Sequence, residues 1–253
     1  MIRHHLAAVR GALGFLTRLP IGYKDGDWDA FRSRPAAFPV VGYVAGALAA
    51  VPLLTADVLP AATVAVGYLL AVYAVVGIHH LDGVADLGDA LVVHGDVERR
   101  REVLKDTTTG VGALLAVSVV VAALTLAGLA LAGLPVLAAV AVAIAAEVGT
   151  KLGLAAMCCF GHASHEGIGR QFTTASRPAS LIVPAIVALP AVALTWPHPA
   201  SAVALAGAVA GIGLPWYWAS RHLGGLNGDI FGAANEIGRI AGVHAGVIAW
   251  TLL

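Results

Sequence analysis

The sequence predicts an all-α integral membrane protein of about seven transmembrane helices, preceded by an N-terminal interfacial helix. Three observations carry this reading. Hydrophobic residues fill 59% of the 253 positions and charged residues only 12%, about half the charged share of a soluble domain. The apolar residues fall in long runs without the alternation that a membrane barrel needs. The 30 glycines suit helices that pack closely in lipid.

The elements follow in order. Residues 6–19 are too short and too charged to span, with Arg10 and Arg18 inside them, and read as an amphipathic helix in the interface. Residues 21–35, IGYKDGDWDAFRSRP, are polar and turn-rich and read as a loop. Spans are expected at 37–56, 60–80, 110–132, 134–160, 179–196, 200–220 and 230–252. The last of these carries Asn235, Glu236 and Arg239. Pro39, Pro52 and Pro215 mark helix ends or kinks. Residues 97–105 are strongly charged and helix-favouring. With no inverted repeat and no low-complexity tail, residues 1–253 read as a single polytopic domain.

Charge placement orients the chain. Of the 15 Lys and Arg, six lie in residues 1–35, four in 81–109, two in 161–178, and the others are Lys151, Arg221 and Arg239. The alternate connections, near 57–59, 133 and 197–199, hold none. By the positive-inside rule the N-terminus is cytoplasmic, the C-terminus is external, and the large polar loops share the cytoplasmic face of the cell membrane. No cleavable signal peptide is evident. A net charge of zero gives no bulk field for nucleic acid. Cys158 and Cys159 are adjacent in an apolar run and read as buried free thiols. The small-residue faces leave monomer and homo-oligomer both open.

The stretch IHHLDGVADLGDALV, residues 78–92, holds the chemistry. On a helix, offsets of 4 and 7 put Asp82, Asp86 and Asp89 on one face. Three such acids at a membrane surface repel one another unless a cation sits among them. Hard carboxylate oxygens suit Mg²⁺ or Mn²⁺, and Mg²⁺ in turn suits a diphosphate. Gly83 and Gly88 keep the helix slim beside the acids. Asp106 either caps the following span or joins the metal set.

A second polar stretch, RHLGGLNGDIFGAANEIGR, covers residues 221–239. Gly228 precedes Asp229, and Glu236 lies seven residues beyond, so both acids face one side of a helix whose N-terminus offers free amides to phosphate. They hold metal, hold the polar part of a substrate, or simply cap and pack the helix. Glu147 and Lys151 form an i,i+4 pair that either ties helices together or contacts the diphosphate. The loop with His162, His165 and Glu166 lacks a further zinc ligand and reads as substrate-facing or solvated. No haem, flavin or nicotinamide fingerprint appears.

Four blocks together resemble the cobalamin-5'-phosphate synthase (adenosylcobinamide-GDP ribazoletransferase) family: GFLTRLP at 14–20, HLDGVADLGDA at 80–90, KDTTTGVGA at 105–113 and GGLNGDIFGAANEIG at 224–238. The resemblance covers nearly the whole chain. It implies a multi-pass membrane transferase of cobalamin biosynthesis with Mg²⁺ as its ion. Its substrates would be adenosylcobinamide-GDP and α-ribazole or α-ribazole 5'-phosphate. Its products would be GMP and adenosylcobalamin or the 5'-phosphate. The acidic block is more distantly similar to that of the CDP-alcohol phosphotransferases.

Carried onto this chain, the family pattern implies Asp82, Asp86, Asp89 and Asp106 as metal-holding and catalytic residues. His80 or an unliganded carboxylate is the candidate base for a free 5'-hydroxyl. Lys105, Lys151, Gly228, Asp229 and Glu236 are the expected contacts to the substrate's phosphates and polar parts, with Arg18 a further cationic candidate. Similar members carry an Arg and a Gly where this chain has Thr107 and Thr109. Two rivals are a CDP-alcohol phosphotransferase acting on a lipid and a cation-coupled transporter. The GGLNGD block speaks against the first, and the gathering of charge on one side against the second.

Overall fold

A computed structural model describes residues 2–106 and 108–253; Thr107 lies outside the described residues. Within them the chain is helical throughout, with one isolated bridge between Ala163 and Leu226 in place of any strand. The helices are α1 (Ile2–Leu16), α2 (Asp27–Arg32), α3 (Ala37–Ala49), α4 (Ala61–Val76), α5 (His79–Val92), α6 (Val97–Val103) and α7 (Val111–Leu131). They continue as α8 (Val136–Phe160), α9 (Ile168–Thr173), α10 (Ile182–Val192), α11 (Ala200–His222) and α12 (Gly228–Leu252).

Helices occupy all seven segments expected to span. Length and apolarity sufficient to cross a membrane belong to four: Ala37–Thr55, Val111–Leu131, Val136–Phe160 and Ala200–His222. The pair α4 and α5 makes a fifth if taken as one broken span, but it bends by 98°. The remaining two differ for distinct reasons. α10 has only 11 residues, short of the ~20 that a bilayer core needs, and α12 carries the buried Asn235, Glu236 and Arg239.

α8 is the central helix. It packs against α3, α10, α11 and α12, and 72% of its most apolar stretch is buried, against 28% for α7. Small side chains such as Ala139, Ala143 and Ala146 let its neighbours approach closely. The thiols of Cys158 and Cys159 are free and buried in this helix, as expected. α7 lies at the periphery and shows Leu114, Leu115, Val119 and Leu126 outward, a face suited to lipid tails. Pro52 falls in the short 3-10 turn Val51–Thr55 that follows α3, whereas Pro215 is accommodated inside α11.

The N-terminal helix starts four residues earlier than expected, at Ile2. Its buried stripe is Ala8, Ala12 and Leu16, at the i, i+4, i+8 spacing of one helix face. The expected loop at 21–35 contains the short helix α2, which is a correction. Polarity hid it. Gly26 takes a φ of 83°, and α2 begins at once beyond it. The buried Asp27 carboxylate then accepts from Arg10 Nε at 2.6 Å and from the backbone N–H of Lys24 at 2.9 Å. That pairing with Arg10 holds the Asp27 carboxyl below the usual carboxylate range. Phe31 turns inward and packs at a tilt against Phe38 and edge-to-face against Phe172, with centroids 5.0 and 5.1 Å apart.

The break between α4 and α5 positions the site. Gly77 supplies a φ of 76° there, a conformation that glycine adopts without a Cβ penalty. α5 then runs across the N-terminal ends of two other helices. A Cβ on Gly83 would overlap the Asp229 carbonyl oxygen in α12, and one on Gly88 would lie 2.6 Å from the Gly112 carbonyl oxygen in α7. These contacts place α5 across the end of the bundle, outside the spanning helices.

Candidate active site

α5 has the acids on one face, as its spacing requires. Asp82 is exposed, and Asp86 and Asp89 are half-buried. Burial pushes the Asp86 carboxyl up to about 7, with the charges of Asp229, Asp82 and Asp89 adding to the effect in that order. Asp229 stands in the first turn of α12, where Asn227 Oδ1 accepts from the Ile230 N–H at 2.9 Å and Asn227 Nδ2 donates to Asp229 Oδ2 at 3.1 Å. Two stretches 140 residues apart thus bring their carboxylates together. Among the described residues no Lys or Arg forms an ion pair with Asp82, Asp86, Asp89 or Asp229.

Asp89 has a second task. Its Oδ2 accepts from the Gly110 N–H at 2.8 Å and its Oδ1 from the Ala113 N–H at 2.9 Å. It therefore caps α7, the task the sequence offered to Asp106. Asp106 is exposed and turns instead to its own loop. Its Oδ1 accepts from the Thr108 N–H and hydroxyl at 2.9 and 2.8 Å, bonds that hold its carboxyl below the usual range. It is also absent from the charges that act on Asp86, where Asp229 stands first among them.

The chemistry of this donor set fits Mg²⁺. The oxygens are hard, and among the described residues no Lys or Arg pairs with the crowded acids. As the side chains stand, no three His, Cys, Asp or Glu among the described residues converge enough to hold an ion. Mg²⁺ typically takes one or two carboxylates and leaves its other positions to water and substrate phosphate, so a closed protein cage is not required.

A buried polar network backs the site. Arg239 Nε donates to Glu147 Oε1, and Arg239 Nη1 donates to Glu236 Oε1 at 2.6 Å. Lys151 Nζ lies 3.5 Å from Glu147 Oε2 and donates to Asn235 Oδ1 at 2.5 Å. The Asn235 amide nitrogen lies 3.0 Å from His80 Nδ1 and 3.3 Å from Glu236 Oε1. Tyr73 donates to Glu236 Oε2 at 3.4 Å. Two acids and two bases make the cluster neutral, which is the condition for keeping ions away from water.

This network corrects two expected phosphate contacts. Lys151 and Glu236 are fully buried: Lys151 donates to Asn235 in α12, and Glu236 accepts from Arg239 and Asn235 of its own helix and from Tyr73 of α4. Lys105, by contrast, is exposed, as is Arg18 beside the α4 end, where its backbone N–H donates to the Val75 carbonyl at 2.7 Å. The sequence missed Arg239 as the centre of the network, although its i+3 spacing from Glu236 inside an apolar segment was a usable signal. His80 ends the network at the surface of α5; burial, with Lys151 and Arg239 next in effect, holds its ring well below the ordinary histidine value.

The polar loops converge on this same end. Arg101 of α6, which the sequence did not single out, donates to the Leu223 carbonyl at 2.7 Å and to the Ser164 carbonyl at 3.2 Å. Ser164 N–H donates to the Leu226 carbonyl at 2.9 Å. Glu166 pairs with Arg170 at 2.7 Å on the surface. Trp28 Nε1 donates to Gln171 Oε1 at 2.7 Å and joins the N-terminal segment to α9. Beneath lies a cavity of about 370 Å³ lined by Phe15, Phe38, Phe172 and Phe231 together with His80, Gly228 and Asp229. It is apolar with a few polar groups at one place, the usual make-up of a small-molecule site.

Fold and site together define a polytopic α-helical membrane protein with a carboxylate-rich face at one end of its helices. The chain belongs to the cobalamin-5-phosphate synthase family, whose model matches residues 8–247. It is 48% identical to an adenosylcobinamide-GDP ribazoletransferase of Halorubrum lacusprofundi over 97% of this chain and 98% of that protein. Identity is 55% to the protein of that name in Halobacterium salinarum, over 76% of this chain and 97% of the other. A Pyrococcus abyssi protein of the same name is 32% identical over 91% of this chain and 94% of its own length. No solved structure matches the chain.

Proposed function

We propose that this protein transfers the adenosylcobinamide-phosphate group of adenosylcobinamide-GDP to α-ribazole or α-ribazole 5'-phosphate, releasing GMP. The observation that carries the reading is the gathering of Asp82, Asp86 and Asp229, none of them in an ion pair with Lys or Arg among the described residues, beside a cavity that Asp229 itself lines. The names of the full-length relatives supply the substrate class.

Asp82, Asp86 and Asp229 would hold Mg²⁺, with Asp89 adjacent, and the ion would neutralise the diphosphate oxygens. A ribose hydroxyl of the acceptor other than the one at the 5' position attacks the phosphorus on the cobinamide side, so that a 5'-phosphate survives into the product, and GMP departs roughly opposite the attack. With either acceptor that hydroxyl gives up its proton, for which an unliganded carboxylate of the acidic face is the candidate acceptor. The phenylalanine-lined cavity receives the planar base of the acceptor, while Asp229 and His80 face its polar end. Exposed Lys105 and Arg18 are the cations free to meet the nucleotide.

The same reading sets the topology. The loops joined by Arg101, Ser164 and Leu223 form the cytoplasmic face of the cell membrane, with the N-terminus on that side and the C-terminus outside. α1 lies in the interface with its apolar stripe turned to the bundle.

Two incubations separate this function from its nearest rival. Purified protein given adenosylcobinamide-GDP and α-ribazole 5'-phosphate releases GMP. Given CDP-diacylglycerol and a lipid acceptor, it releases no CMP. CMP release without GMP release would assign the protein to the phospholipid-type transferases.

A further inference from the structure

Asn235 sits between three groups whose chemistry leaves it one orientation. Lys151 Nζ lies 2.5 Å from the Asn235 side chain. An ammonium has donors and no acceptor, so the atom facing it must be the amide oxygen. The amide nitrogen then faces the other way. Its two hydrogens meet two atoms, Glu236 Oε1 at 3.3 Å and His80 Nδ1 at 3.0 Å. A carboxylate oxygen accepts. His80 Nδ1 must accept as well, because a proton on it would oppose the amide N–H. Glu236 offers that proton no alternative, since its Oε1 is 3.9 Å from Nδ1, beyond hydrogen-bond range.

An imidazole whose Nδ1 accepts is neutral and carries its proton on Nε2. Among the described residues that Nε2 has no hydrogen-bond partner. His80 lines the cavity together with Asp229 and Gly228. The ring nitrogen left without a partner is thus a donor and not an acceptor.

We propose that Lys151 and Asn235 are positioning residues that fix His80 as an Nε2–H hydrogen-bond donor to a phosphoryl oxygen of the bound substrate. This replaces the role of general base that the sequence suggested for His80. It rests on the reading of the cavity as the substrate site. It also explains why a lysine is kept fully buried 84 positions from its amide partner: an apolar residue in its place would leave the Asn235 amide free to turn over.

Two measurements on the full chain in detergent or nanodiscs test this. The first is nitrogen NMR of histidine-labelled protein without substrate, with His80→Gln used to assign the His80 signals. The expected result is a neutral ring protonated at Nε2 in the native chain. Asn235→Asp should shift the proton to Nδ1, because a carboxylate oxygen then faces it. A neutral native ring protonated at Nδ1, or a cationic ring, would overturn the proposal.

The second is turnover with α-ribazole 5'-phosphate. A glutamine can still donate, so His80→Gln should keep kcat within about tenfold of the native chain, while His80→Ala should lose about 100-fold. Equal loss in both variants would assign His80 to proton abstraction and overturn the donor role. The NMR arm needs no activity, so a failure of the transferase reading would show as inactive native protein with the ring state unchanged.

Discussion

The Asp89 carboxylate closes over the start of α7, taking the Gly110 N–H at 2.8 Å on one oxygen and the Ala113 N–H at 2.9 Å on the other. One acid of the row is therefore part of the scaffold as well as of the acidic face. Among the described residues its two neighbours on the helix, Asp82 and Asp86, have no such bond.

This difference is measurable. Asp89→Ala removes a helix cap and should cost about 1 kcal/mol of stability along with activity. Asp82→Ala, at an exposed carboxylate without a partner, should leave the thermal midpoint in detergent unchanged and lower GMP release by about 100-fold or more. Intact turnover in folded Asp82→Ala protein would remove Asp82 from the site.

Asp86 makes stability depend on pH. Its carboxyl sits at about 7 in the folded chain, above the ordinary 3.8. Between those values the folded protein holds a proton that the unfolded chain has released. The group's favourable contribution is present below about pH 4 and is lost as pH rises through 7. In the presence of a chelator, Asp86→Asn should therefore raise the thermal midpoint at about pH 8, with the gain shrinking as pH falls towards 4. A gain independent of pH would show that the ionised Asp86 carboxylate, disfavoured by burial and by its acidic neighbours, is not its source.

The buried cluster predicts a strong asymmetry between single and double variants. Lys151→Met leaves Glu147 with one cation where it had two and should destabilise the chain by roughly 3–5 kcal/mol. Combining it with Glu147→Gln restores neutrality around Arg239 and Glu236 and should recover much of that loss. Thermal melts of membrane-extracted protein compare the three. Additive losses in the double variant would argue against a coupled network.

The aromatic cavity predicts a substrate-selective defect. Phe172 packs edge-to-face against Phe31 and lies 6.1 Å from Phe231. Phe172→Ala should raise KM for the ribazole acceptor several-fold more than KM for adenosylcobinamide-GDP. Equal changes for both substrates would place the acceptor's base elsewhere.

Much of this was legible in the sequence, because hydropathy and charge placement act locally. The apolar runs marked every long helix, and the +4 and +7 spacing marked the acidic face of α5. What the sequence withheld depends on approach across the bundle. Asp89 and Asp106 are both acids near the start of α7, and only the turn of α5 across the bundle end decides which one reaches the free amides. Lys151 read as a possible phosphate contact because its i,i+4 partner Glu147 was visible and the distant Asn235 and Arg239 were not. α2 was hidden because its helix rests on a tertiary ion pair with Arg10 and on aromatic burial, not on its own propensity.

The most direct measurement counts GMP and cobamide together. Purified protein with adenosylcobinamide-GDP, α-ribazole 5'-phosphate and Mg²⁺ should form one cobamide for each GMP released, and a chelator should stop both. GMP without cobamide, or neither product from folded protein in the presence of Mg²⁺, would contradict a transferase built on Asp82, Asp86 and Asp229.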